Sequence, residues 1–401
     1  MSGRARAWLR FLVLTTGFFL LYALTAQRSL GWSDSGELQL RVLSDAAVST
    51  GSLATDHPLY LAFCRCFCST PFAVTLVSSL FGALAVGGFL LASRNLALSL
   101  LFGLSHMLWW LSCVTEVQTT SLALTAFETA ALLRFLTRGG GGWLVTAAAL
   151  NGVHLGVHNL ALLALPVFLA LGLWGVRRQR LGPATLVWAL AVWLAAAAVP
   201  LVGAFKMVAA GGFSSSSLVR GLLVGDYGEK VFALWPENGV LAAFNLALAS
   251  LTFFPPVLLW HWSRRRGTMV AARPESRPER ILLVALFAVN ALFWIRYFVP
   301  DQATFALPTA FFAWLLVARL ELRRERAVAL ALMQVLLPIL AWLALSQLKV
   351  PSWRPAHPFR DEARYFALPW KCGDYSADRA AALQGGEWNG YPADCHERSA
   401  Q

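Results

Sequence analysis

Residues 1–37 read MSGRARAWLRFLVLTTGFFLLYALTAQRSLGWSDSGE. Arg4, Arg6 and Arg10 precede an apolar run that continues to Ala26, and a polar segment led by Asp34 and Glu37 comes directly after it. A basic start ahead of an apolar stretch long enough to cross a bilayer holds the N-terminus in the cytoplasm and delivers the next segment to the outside. A signal peptide has the same order, but Leu24 fits poorly in a small-x-small cleavage site ending at Ala26. The segment is read as an uncleaved first span, and either choice puts Gln27 onward outside.

The same alternation extends through the chain. Of 401 residues, 58% are hydrophobic and 13% charged, with mean hydropathy +0.59. A soluble domain carries about a quarter of its residues as charges and could not bury this much apolar surface in one core. Lipid must serve as part of the solvent. Apolar runs of roughly 17 to 22 residues give about eleven spans, near 8–27, 71–93, 96–113, 118–136, 143–157, 159–176, 183–204, 240–260, 281–298, 304–320 and 327–347. The expected fold is an all-α polytopic membrane bundle over residues 1–347, with short interfacial helices in the first outer loop. A small extracytoplasmic tail covers 348–401.

The net charge of +12 does not indicate a nucleic-acid binder, because the basic residues form short clusters between apolar runs rather than a face interleaved with aromatics. Starting from a cytoplasmic N-terminus, the span count puts Arg94, Arg134 and Arg138, the run at Arg177, the segment Arg264 to Arg280 and the run Arg319 to Arg326 all inside. The positive-inside rule did not place the spans, so its agreement is an independent check. A bacterial inner membrane is the expected location. Six cysteines are too few for a disulfide framework. Cys64, Cys66 and Cys68 read as packing residues, while Cys372 and Cys395 in the tail are a candidate disulfide in an oxidising compartment.

The polar residues that break the apolar pattern collect at the outer junctions. Asp34, Ser35, Gly36 and Glu37 come after the first span, in a loop that runs through Asp45 and Asp56 to His57. A carboxylate at the mouth of a bundle is partly desolvated, and so serves as a base or as a ligand for a divalent cation. Asp34 and Glu37 share a face if that segment is helical. The alternative, with Asp34 or Ser35 capping an amphipathic helix, stands equally on spacing.

Glu116 lies between two spans, where a solvated loop acid is the plain alternative. Asn151, His154, His158 and Asn159 interrupt a long apolar stretch. The histidines at i and i+4 lack the Glu that a zinc protease places after the first, so interhelical hydrogen bonding is the favoured role. Arg296, Tyr297, Asp301 and Gln302 mark a tight re-entry, and an arginine at that depth suits a phosphate or snorkels. Glu128 lies mid-span without an obvious partner, and an intramembrane acid is a functional suspect by default.

The order of these motifs resembles the multi-pass family, long labelled by a domain of unknown function, that includes the protein O-mannosyltransferases acting on the IPT domains of plexins and receptor kinases. The likeness covers about residues 8–320. It runs through Asp34-Ser35-Gly36-Glu37, His57-Pro58-Leu59-Tyr60, Trp109-Trp110 with Glu116-Val117, Asn151 to His158, and Asp301 through Leu307-Pro308. The chain departs from the family in lacking a Pro-Gly-Tyr-Pro insertion after His57-Pro58, and in having Gln118 where Tyr is usual.

The resemblance implies a glycosyltransferase of GT-C architecture, moving a hexose such as mannose from a polyprenyl-phosphate donor to a protein or glycan on the outer face. Asp34 would deprotonate the acceptor hydroxyl for an inverting attack, with Glu37 positioning the base or acceptor. Arg296 would offset charge on the leaving phosphate. His57, Tyr60, Glu116, His154, His158 and Asp301 would line the substrate site. The competing readings are a transporter or lipid-linked-sugar flippase, in which Glu128 would be the critical acid, and a non-catalytic scaffold.

Overall fold

A computed structural model describes residues 2–31, 33–43, 57–209, 239–264, 276–299, 301–318, 320, 322–347 and 365–368. Asp45, Asp56, Cys372, Cys395 and most of the segments at 205–239 and 348–401 lie outside the described residues. The described chain is predominantly helical. Among the described residues, six helices are long and apolar enough to cross a membrane, beginning with Ala5–Leu24 and Pro71–Ser93 and ending with Arg324–Gln347.

The first span, α1 (Gly3–Leu24), leads into two short helices, α2 (Ser33–Leu43) and α3 (Pro58–Phe67). Next comes α4 (Pro71–Ser93), started by Thr70, whose hydroxyl caps the Ala73 amide at 3.2 Å, and by Pro71 at the first helical position. The expected single span at 96–113 is instead α5 (Leu96–Gly103) and α6 (His106–Ser112). Inside a bilayer such a break survives only if the freed backbone groups find partners. Here the Tyr22 hydroxyl donates to the Gly103 carbonyl at 2.6 Å, and the Met107 amide donates to the Thr252 hydroxyl at 3.2 Å.

The helices α7 (Gln118–Arg138) and α8 (Gly141–Val157) form an antiparallel hairpin. Its reversal uses Gly139 and Gly140 at φ of 72° and 89°, a region that side chains with a Cβ avoid. A six-residue 3₁₀ segment, Asn159–Ala164, opens into α9 (Leu165–Arg177). The expected span at 183–204 is divided into α10 (Pro183–Ala196) and α11 (Ala198–Ala209). Pro200 removes an amide from the ladder at that point and crowds the preceding turn. Packing of α8 on α10 is so close at Gly152 that a Cβ there would lie 2.6 Å from the Trp193 carbonyl oxygen.

Further along the chain come α12 (Gly239–Arg264), α13 (Arg277–Arg296), α14 (Leu307–Val317) and α15 (Arg324–Gln347). Ser276 and Glu279 form a reciprocal capping box at the start of α13. The large core runs from Tyr22 through Phe89, Phe102 and Phe135 to Phe311 and Trp314. A smaller one joins α2 and α3 to α4 through Leu38, Tyr60, Cys64 and Val77. Tyr365, from the expected outer tail, is buried in the large core, where its carbonyl accepts a bond from the Trp110 indole at 3.2 Å.

Helix direction sorts the charges. Arg94, Arg134 and Glu279 line one cavity at one end of the bundle, and Arg178, Arg180 and Arg277 line another. Asp34, Glu116, His158 and Asp301 gather at the opposite end.

Candidate active site

Asp34 lies in the first turn of α2, where a carboxylate favours the helix dipole, and its side chain is exposed. The helix is locked in place by Gln39, which is buried one turn further on. Its side-chain oxygen accepts from the Gly31 amide at 2.8 Å, and its amide nitrogen donates to the Pro71 carbonyl at 3.2 Å and the Thr75 hydroxyl at 3.1 Å. Thr75 continues the chain to Thr115 at 2.9 Å, beside Glu116. Sequence reasoning misses this clamp, because Gln39 and Thr75 look unremarkable until α2 lies across the end of α4.

Glu116 sits in the turn before α7. Its backbone is pinned by Ser78, whose hydroxyl accepts from the Glu116 amide at 2.9 Å and donates to its carbonyl at 3.0 Å. The Ser35 hydroxyl donates to the carboxylate at 3.4 Å. Burial, then the charges of Asp34 and Asp301, push the Glu116 carboxyl well above its ordinary value, against the pull of the Ser35 bond. Asp301 behaves alike: burial and then the Asp34 charge push it up to about 7, while the Thr304 hydroxyl, 3.4 Å away, pulls it down. Three acids from residues 34, 116 and 301 therefore feel one another at one end of the bundle. Glu37, half-buried one turn after Asp34, is not among the charges that raise either acid.

The histidines divide. His57 caps α3 in a left-handed conformation, φ 43°, its Nδ1 2.7 Å from the Val157 carbonyl. Its ring lies 5.2 Å from that of His158, which faces Phe305 on its other side at 6.0 Å. Burial, then His57 and His154, push the His158 imidazole well below its ordinary value. A neutral His158 is thus packed between the first outer loop and the re-entry that carries Asp301.

His154 belongs to a different set. Its Nε2 lies 2.6 Å from the Ser121 hydroxyl and its Nδ1 2.9 Å from Glu128. Glu128 also accepts from Asn151 at 3.3 Å, and the Asn151 oxygen accepts from the Trp193 indole at 2.9 Å. Glu128 therefore has its partner, and the favoured interhelical role of His154 is what the structure contains. Tyr60 is 1% exposed and packs in the small apolar core. Arg296 is half-buried at the end of α13, five residues before Asp301. Among the described residues no group of three His, Cys, Asp or Glu side chains is disposed to hold a metal ion.

Among the described residues, a set of apolar spans that are all helical, with acids collected at one end, marks an integral membrane protein. The chain follows two crystal structures of ArnT from Cupriavidus metallidurans, each with a TM-score of 0.57 and 17% identity. The apo structure is matched over 92% of this chain and 69% of that one, and the structure bound to undecaprenyl phosphate over 96% and 73%. The chain matches no family profile and no curated protein sequence.

Proposed function

We propose that the protein is a membrane glycosyltransferase that takes a sugar from a polyprenyl-phosphate donor and passes it to a hydroxyl of a protein or glycan outside the membrane. The observation that carries this reading is the meeting of Asp34, Glu116 and Asp301 at one end of a GT-C-like bundle. A lipid-borne phosphate arrives at headgroup depth, so a site at the ends of the helices is where such a donor is met. That a structural neighbour binds undecaprenyl phosphate supports the donor class. The motif resemblance supports a hexose, with mannose as the first candidate.

In this mechanism Asp34, the exposed acid, removes the proton of the acceptor hydroxyl as the oxygen attacks the anomeric carbon. The carbon–oxygen bond to the phosphate breaks on the opposite face, so the configuration inverts. Glu116 and Asp301, raised by burial and by Asp34, keep their protons to higher pH than ordinary carboxyls and so ease the accumulation of negative charge beside Asp34. Arg296 offsets the charge that develops on the departing phosphate. Glu37, on the same helix as Asp34, orients the acceptor, and His57 and His158 shape the wall toward the re-entry.

The test is to incubate purified protein with a panel of radiolabelled polyprenyl-phosphate sugars and candidate acceptors. Label appearing in acceptor, with free polyprenyl phosphate released, is the expected result. Movement of intact donor across liposomes with no acceptor labelled would replace the transferase reading with a flippase.

A further inference from the structure

At the arginine-bearing end of the bundle, α9 and α13 enclose a groove of about 840 Å³. Its length is apolar, with Val167, Ala170 and Leu171 on one helix and Ile281 on the other, and its end carries Arg178, Arg180 and Arg277. Among the described residues no acid lines it. Glu279, the nearest carboxylate in sequence, is turned to its own capping box, where it accepts from the Ser276 amide at 3.1 Å.

The three arginines are not equivalent. Arg180 is held: its guanidinium stacks over Trp174 at 5.0 Å and donates to the Leu136 carbonyl at 3.2 Å. Arg178 and Arg277 are exposed on either side of the groove mouth, one after the end of α9 and one at the start of α13. An apolar cleft along the lipid-facing surface of two spanning helices, closed at headgroup depth by three cations, matches an amphipathic anion in shape and sign. Basic pockets between spanning helices bind anionic headgroups in this way, and each arginine near the surface strengthens the attraction several-fold.

We propose that this groove is a binding site for an anionic phospholipid, with an acyl chain along the α9–α13 cleft and the phosphate between Arg178 and Arg277. The site lies at the end of the bundle away from Asp34, Glu116 and Asp301, and it does not depend on the transferase reading. Trp174 and Arg180, which is held against it, line the groove beside Arg178 and Arg277, which form its clamp.

Purified full-length protein in a neutral detergent would be titrated with phosphatidylglycerol, with phosphatidylcholine of the same acyl chains and with inorganic phosphate. Thermal unfolding and native mass spectrometry would be the readouts. Phosphatidylglycerol is expected to bind and raise the melting temperature, and the other two are not. The double variant Arg178→Gln with Arg277→Gln should bind it about thirtyfold more weakly, while Arg323→Gln with Arg324→Gln, outside the groove, should bind as wild type does. Ala170→Trp, which fills the cleft and leaves every arginine in place, should also weaken binding, and it serves if the arginine variant is unstable before lipid is added. Equal stabilisation by phosphatidylcholine or by inorganic phosphate alone would overturn the proposal, as would undiminished binding in both groove variants.

Discussion

Glu116 lies two residues before α7 and Glu128 lies deep within it, and the fold treats the two acids in opposite ways. Glu128 meets donors: His154 at 2.9 Å, with Ser121 behind it, and Asn151 at 3.3 Å, with Trp193 behind that. Glu116 meets Asp34 and Asp301, two acids like itself, with a long bond from Ser35. A network whose donors and acceptors are matched fastens helices together. Buried carboxylates that also feel one another's charge cost stability, and such perturbed groups are candidates for functional sites. Under the proposed function, the deep cluster belongs to the architecture and the outer one to the chemistry.

The sharpest way to break that division is Asp34→Asn. Loss of a general base costs on the order of 10²–10⁴ in rate, so sugar transfer should fall by about that factor, with the melting temperature near that of wild type. Glu128→Ala should do the reverse. Leaving His154 and Asn151 without their acceptor should cost about 1–3 kcal/mol of stability, seen as a lower melting temperature in detergent, while the rate per folded molecule stays within a few-fold. Full sugar transfer by Asp34→Asn together with abolished transfer by a folded Glu128→Ala protein would reverse the assignment.

The two clusters also differ in how far they can be read from sequence. The reversal at Gly139 and Gly140 makes residues equally distant from it face each other. Glu128 lies eleven residues before Gly139 and Asn151 eleven after Gly140, so counting along the hairpin pairs them. The partner that apolar patterning alone does not supply for Glu128 is thus within reach of the turn glycines. The outer acids offer no such register. Asp34, Glu116 and Asp301 belong to segments some eighty and nearly two hundred residues apart, and only the topology brings them together. Charge alternation puts them on one side without putting them in contact.

The spans are legible because twenty-residue apolar runs have few readings, and α4 begins and ends at the expected Pro71 and Ser93. The break between α5 and α6 is not legible. Its freed groups are satisfied by Tyr22 and Thr252, residues distant in sequence, and locally only Gly103, Ser105 and His106 mark the break in an otherwise largely apolar run. Tyr60, expected at the substrate site, is buried in the small core within reach of Ser78 and the Glu116 charge, a placement set by the packing of α3 against α4, which is likewise a tertiary outcome.

A pH titration separates the clusters by a smaller effect. In the folded protein Asp301 keeps its proton up to about pH 7, whereas the unfolded chain releases it near the ordinary carboxylate value of 3.8. Between those values the native state binds more protons, so its stability falls as pH rises through that window, by at most about 1.4 kcal/mol per pH unit. The contribution is complete below the lower value and lost above the higher. Asp301→Asn, which stays neutral throughout, should melt close to wild type near pH 4, and the variant's advantage, measured by melting temperature up to pH 7.5, should widen as pH rises and then level off near pH 7. A difference independent of pH would mean that Asp301 is an ordinary solvated acid and that the outer cluster is not under strain.

The smallest effect belongs to Ser121→Ala. The hydroxyl lies 2.6 Å from His154 Nε2, and with Glu128 on the other ring nitrogen the order Ser–His–Glu has the outline of a nucleophilic triad. Its surroundings argue otherwise, since Ser121, His154 and Glu128 are each no more than 2% exposed and no acceptor or donor can approach the hydroxyl. If the serine only completes the histidine's hydrogen bonding, its removal should cost about 0.5–1.5 kcal/mol and leave transfer intact, because the oxygen that attacks belongs to the acceptor and the base is Asp34. A loss of activity as large as that of Asp34→Asn, in Ser121→Ala protein of near-normal stability, would move the deep cluster from architecture to chemistry.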